Sequence, residues 1–133
     1  MRIFFSLFNF IDDIKTCRLL LENNANINKT DSFSMTAIHW AASLNLLEIT
    51  EELMKYLPDP TVLDLKNQTA LEKAILNRNK QIVKLFNDKY VLSFRYREYL
   101  LTAIESSNDD IFKYIILYFY ILYIEKFSIF KLL

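Results

Sequence analysis

Apolar residues recur along the chain at helical spacing, in short runs separated by polar, turn-forming stretches. Ile49, Leu53 and Met54 are spaced four and five apart, and Ile82, Leu85 and Phe86 follow at i, i+3, i+4. Each set makes an apolar stripe along one side of a helix. A segment with narrow side chains, Ala37, Ala41 and Ala42, precedes the first stripe. A helix with so narrow a face lets its neighbours approach closely. Thr36 stands where a side-chain oxygen can cap that helix by accepting from a free backbone N–H. Pro58 and Pro60 cannot sit inside a helix and mark a return loop. The pattern predicts pairs of short antiparallel helices joined by extended loops. No pair can bury its stripe alone, so the pairs must stack into one continuous core.

The pairs repeat. Residues 36–42 read T-A-I-H-W-A-A and residues 69–75 read T-A-L-E-K-A-I, with Thr36 and Thr69 33 residues apart. The same step relates Asp31 to Asp64, Glu48 to Gln81, Ile49 to Ile82, Leu53 to Phe86, Lys15 to Glu48 and Leu20 to Leu53. A 33-residue period opening on a T-P-L-H-x-A-like motif resembles the ankyrin repeat. Residues 19–28, L-L-L-E-N-N-A-N-I-N, are similar to that family's L-L-L-E-x-G-A-D-V-N ending, with Asn24 at the family glycine and Asn26 at its aspartate. A fourth unit follows at a step of 29, from Ala74 to Ala103 and from Ile82 to Ile111, so its connector is shortened. At the N-terminal end, Phe8 and Asn9 stand where small residues are expected. That stretch is divergent, or the chain is a fragment of a longer array. The resemblance implies an all-α ankyrin-repeat solenoid over residues 1–133 as a single domain. It comprises a partial unit at about 1–30, units at 31–63 and 64–93, and a divergent unit with an apolar tail at 94–133.

Composition narrows the function. A chain of 133 residues can bury a core without a metal or disulfide. Its 53% hydrophobic and 15% aromatic content excludes a disordered chain. Sixteen basic residues balance sixteen acidic ones, so no strong field draws a phosphate backbone and nucleic acid is not an expected partner. One cysteine, Cys17, permits no intramolecular disulfide, which favours a reducing, cytoplasmic setting. With a single histidine besides, no four-ligand Cys/His zinc site is possible. Glycine is absent, which excludes P-loops and dinucleotide-binding fingerprints. Turns that need a positive φ then fall to Asn, at Asn23-Asn24, Asn45, Asn67 and Asn77. The apolar start has Asp12-Asp13 where a signal peptide carries small cleavage-site residues. The apolar run at 114–124 has 11 residues, against about 20 for a membrane span.

Candidate chemistry is thin. Resemblance makes His39 the motif histidine that ties one unit's loop to the next. Cys17 lacks a base in any cysteine-protease pattern and reads as a buried thiol. The pairs Asp12-Asp13, Glu51-Glu52 and Asp109-Asp110 are neighbours on a helix, where they do not face each other, so they read as solvated or capping groups. Phe94-Arg95-Tyr96-Arg97 reads as part of the shortened loop. The expectation is therefore no catalytic residue, metal or cofactor.

The resemblance implies binding of another protein through loop tips and the exposed face of the first helices. The tip positions are Thr30, Ser32, Phe33 and Met35, then Leu63, Leu65, Lys66 and Gln68. The helix ends add Ser43, Leu44, Leu76 and Asn77. Phe33 is the leading anchor. Thr36, His39, Ala41, Ala42, Thr69 and Ala74 are the structural motif positions. In the tail, helical spacing turns Ile111, Tyr114, Ile115 and Tyr118 toward the third unit and leaves Phe112, Leu117, Phe119, Tyr120 and Tyr123 without a neighbour. The first expectation is that residues 125–133 fold back over them, anchored by Phe127 and Phe130. The alternatives are contact with a partner, a missing repeat or a second copy, or attachment to a membrane surface as an adaptor.

Overall fold

The computed structural model describes residues 13–90 and 95–132, with side chains as far as Lys126. Among the described residues there are seven helices and no strand: α1 (Ile14–Glu22), α2 (Ala37–Ser43), α3 (Leu47–Met54), α4 (Ala70–Leu76), α5 (Lys80–Lys89), α6 (Tyr96–Glu105) and α7 (Asp109–Leu132). Helices α2 and α3, α4 and α5, and α6 and α7 form successive pairs. The first helices, α2, α4 and α6, stack on one another, and α1, α3, α5 and α7 stack as a second layer.

Small residues govern the first layer. Ala41, Ala42 and Ala74 are fully buried, and Ala37, Ala70 and Ala103 nearly so. Larger residues fill the space between layers: Leu53, Met54, Ile75, Ile82, Phe86, Ile111 and Ile115 belong to one continuous core. Polar ties cross from unit to unit beside it. Asn79 Nδ2 donates to the Ala42 carbonyl at 2.7 Å, and Arg78 Nε to the Ser106 carbonyl at 2.9 Å. The Tyr90 hydroxyl donates to the Pro58 carbonyl at 2.7 Å, and the Tyr118 hydroxyl to the Tyr90 carbonyl at 3.1 Å.

The left-handed backbone positions also repeat. Asn24 and Leu57, Ser34 and Asn67, and Asn45 and Arg78 are pairs at the 33-residue step, and Ser107 follows Arg78 at the 29-residue step. All seven have φ between 50° and 61°. The fourth Asn assignment is corrected here: Asn77 has φ −87° and caps α4, and Arg78 takes the positive angle. The register decides the position, not the residue type. Arg95, Tyr96 and Arg97 are likewise not loop residues, since Arg95 occupies the N-cap position of α6 and Tyr96 begins it, while Phe94 lies outside the described residues.

The tail departs from expectation. Helix α7 runs unbroken through residue 132, so its backbone makes no turn after Ile124 and does not fold back. The 114–132 stretch lacks glycine and proline, and nothing in it breaks a helix. The side chains of Phe127 and Phe130 lie outside the described residues. Ile111 and Ile115 are buried toward the stack. Phe112 and Phe119, expected bare, are half-buried against the core, where Phe119 meets the Tyr96 ring edge-on at 5.6 Å. Leu117, Tyr120 and Tyr123 are exposed.

Candidate partner-binding surface

Two of the loops between units, among the described residues, are tight hairpins built on an aspartate. In the first, the Asp31 N–H donates to the Met35 carbonyl at 3.0 Å. Asp31 Oδ1 accepts from the Phe33 and Met35 amides, both at 2.9 Å. The second repeats it: the Asp64 N–H donates to the Gln68 carbonyl at 3.0 Å, and Asp64 Oδ1 accepts from the Lys66 and Gln68 amides at 2.8 and 3.0 Å. Ser34 and Asn67 supply the left-handed residue that each turn needs. The Leu65 N–H donates to the Phe33 carbonyl at 3.1 Å, joining the two tips side by side.

The second oxygen of each aspartate takes a donor from the following helix, and the donor changes between units. Trp40 Nε1 donates to Asp31 Oδ2 at 2.8 Å, while Lys73, 33 residues on from Trp40, pairs with Asp64 Oδ2 at 2.8 Å. Burial pushes the Asp64 carboxyl up. Lys73 and the two backbone amides outweigh it and hold the group below its ordinary value.

His39 shows a similar exchange. The Thr36 N–H donates to His39 Nδ1 at 3.2 Å, which leaves the ring proton on Nε2, 3.1 Å from the Gln68 carbonyl of the next hairpin. Burial lowers its pKa despite that contact, which favours the neutral ring. Glu72 holds the matching place in α4, where a carboxylate cannot donate to a carbonyl. Arg95 completes the link instead, with Nε 2.7 Å from Glu72 Oε1 and Nη2 donating to the Asn67 carbonyl at 3.0 Å. Sequence reasoning missed Trp40, Lys73 and Arg95. The signal was present in the register, since a charged residue at a buried motif position demands a counter-charge.

The expected tip residues separate into two groups. Thr30, Ser32, Phe33, Leu63, Leu65 and Lys66 are exposed, with Phe33 at 57% and Leu65 at 70%. The Phe33 ring rests edge-on against Trp40, with centroids 6.2 Å apart. Met35 is a correction: it is buried, because closure of the hairpin turns it inward just before the cap of α2. Gln68, its counterpart one unit on, is half-buried and its carbonyl is taken by Asp64 and His39. At the helix ends Leu44 and Asn77 are exposed, and Ser43 and Leu76 half-buried. Thr36, Ala41, Ala42, Thr69 and Ala74 are all buried.

No reactive pair forms here. Cys17 is buried in α1, and burial pushes its thiol up to about 11. Both ring nitrogens of His39 are engaged within the fold. Among the described residues no group of three or more His, Cys, Asp or Glu side chains is placed to hold a metal, and no helix is long and apolar enough to cross a membrane.

This architecture defines a repeat protein of stacked helix pairs with projecting hairpins. The family model described as ankyrin repeats (3 copies) matches residues 7–95, and the chain belongs to the ankyrin-repeat family. Ankyrin repeats are generally protein–protein interaction modules, and the family is typically non-catalytic.

Proposed function

We propose that this chain recognises a protein partner through the ridge of its two hairpin tips, together with the exposed ends of α2 and α4, and performs no chemistry itself. One observation carries the reading. The bond from the Leu65 amide to the Phe33 carbonyl braces the backbones of two residues whose large apolar side chains are both exposed. A surface ordered before binding loses less entropy on association. Leu63 and Leu44 widen the apolar area, while Thr30, Ser32, Lys66 and Asn77 give it a polar rim. That is the anatomy of a protein interface, where a few apolar anchors carry most of the affinity. The lone, buried thiol suits a reducing compartment.

The test is affinity capture with cross-linking, comparing the full chain with Phe33→Ala/Leu65→Ala. Loss of the captured protein at an unchanged melting temperature supports the ridge. Undiminished capture by a folded variant refutes it.

A further inference from the structure

The last helix pair keeps apolar residues where the earlier pairs bury theirs. Ile104 stands at the register of Ile75 and Ala42, which are fully buried, yet Ile104 is 59% exposed. Helix α7 is the larger anomaly. It has 24 residues, against 8 in α3 and 10 in α5. At about 1.5 Å per residue α7 is roughly 36 Å long. A stacked repeat with a second helix of ordinary length covers only its first half.

The bare side of α7 has a spacing of its own. Lys113, Leu117, Tyr120 and Ile124 follow at intervals of four, three and four, the alternation of a coiled-coil seam. All four are exposed, and they lie opposite the side by which Ile111 and Ile115 enter the core. Ile116, Ile121 and Tyr123 flank the seam and are exposed too. A seam of this length and spacing matches another helix of the same length and spacing.

We propose that α7 pairs with the α7 of a second copy, antiparallel about a two-fold axis near Tyr120. Two features favour a second copy. The helix matches itself in length, and a two-fold contact uses one self-complementary patch on both chains. Charge favours the direction. Antiparallel pairing sets the end that bears Asp109, Asp110 and Lys113, net −1, against the end of the other helix that bears Glu125, Lys126 and Lys131, net +1, whereas parallel pairing sets like ends together. A chain of zero formal net charge adds no long-range repulsion between copies. The pairing leaves the hairpin tips outside the contact, so the dimer stands or falls independently of the binding ridge.

The experiment uses the full chain in sedimentation velocity and multi-angle light scattering. The dimer has twice the 15.9 kDa of one chain. Leu117→Glu/Ile124→Glu halves that mass while circular dichroism shows an unchanged helix content, since both positions are exposed in a single chain. Tyr120→Cys forms an oxidised covalent dimer and Lys113→Cys does not, and this pair carries the test if the double variant misfolds. A monomeric full chain, an open-ended oligomer, a dimer that survives the double substitution, or cross-linking at 113 in place of 120 overturns the proposal. So does a monomer that floats with phosphatidylserine vesicles, which would assign the seam to a membrane surface.

Discussion

Leu57 adopts a backbone angle that its side chain opposes. Its φ is 50°, and its N–H donates to the Met54 carbonyl as that of Asn24 donates to Leu21, one unit earlier. A β-carbon in this region costs on the order of 1–2 kcal/mol, and Asn tolerates it better because its side chain bonds locally. Leu57 is 69% exposed, so replacing it removes little burial. Leu57→Asn should therefore stabilise the fold by about 1 kcal/mol, read as a higher urea midpoint with an unchanged slope. A lower midpoint would mean that the Leu57 side chain contributes packing that outweighs the strain. His39 supports a second prediction. Its pKa in the fold lies below the ordinary 6.5, chiefly through burial, so the unfolded chain takes up a proton that the folded chain refuses. The stability this confers is present above pH 6.5 and is lost as pH falls from there toward the folded value. The urea midpoint should drop between pH 7.5 and 5.5, a window above the ordinary carboxylate range, and His39→Gln should flatten the drop. An equal drop in the variant would assign the effect to other groups. At this scale the sequence was partly legible. Turns demanding a positive φ were visible because glycine is missing, but Leu57 and Arg78 were not, since neither residue type advertises that angle. Only the repeat register points to them.

The elements owe their arrangement to residue size and to buried polar links. Ala41 is fully buried where α2 meets α4, and Ala41→Leu should overpack that contact and cost about 1–3 kcal/mol. A neutral effect on the denaturation midpoint would remove Ala41 from the contact. The Glu72–Arg95 ion pair joins α4 to the start of α6, with both side chains largely shielded from water. Arg95→Ala leaves a buried carboxylate unpaired and should cost about 3 kcal/mol. Adding Glu72→Gln should return part of that loss, because a neutral amide is cheaper to bury than a charge. No recovery in the double variant would mean that Arg95 acts mainly through its bond to the Asn67 carbonyl. Helices α2 to α5 were legible because their apolar stripes and threonine caps recur 33 residues apart. Helix α7 was legible only in its first half. An uninterrupted apolar run says where a helix passes but not where it stops, and the expected reversal after Ile124 had no turn residue to make it.

In the whole molecule, one layer of narrow first helices and one of broader second helices enclose the core, and the hairpins project from the stack. On the proposed reading, stability and recognition are thereby divided between different residues. The aspartates, Thr36, His39, Thr69 and Glu72 hold the hairpins in place, and Phe33, Leu63 and Leu65 remain free to meet another molecule. The fold was readable from the repeat. The exposed tips were readable by register, with Met35 misjudged because a hairpin's closing residue faces inward. The partner's identity is written in side chains that no periodicity constrains. Which surface the partner touches is the question that tests this account most directly. A photo-crosslinking amino acid placed at Leu65 on the ridge is compared with the same residue at Glu51, exposed on α3 in the other layer. Adducts should form from position 65 and not from position 51. Adducts from 51 alone would contradict recognition through the hairpin tips.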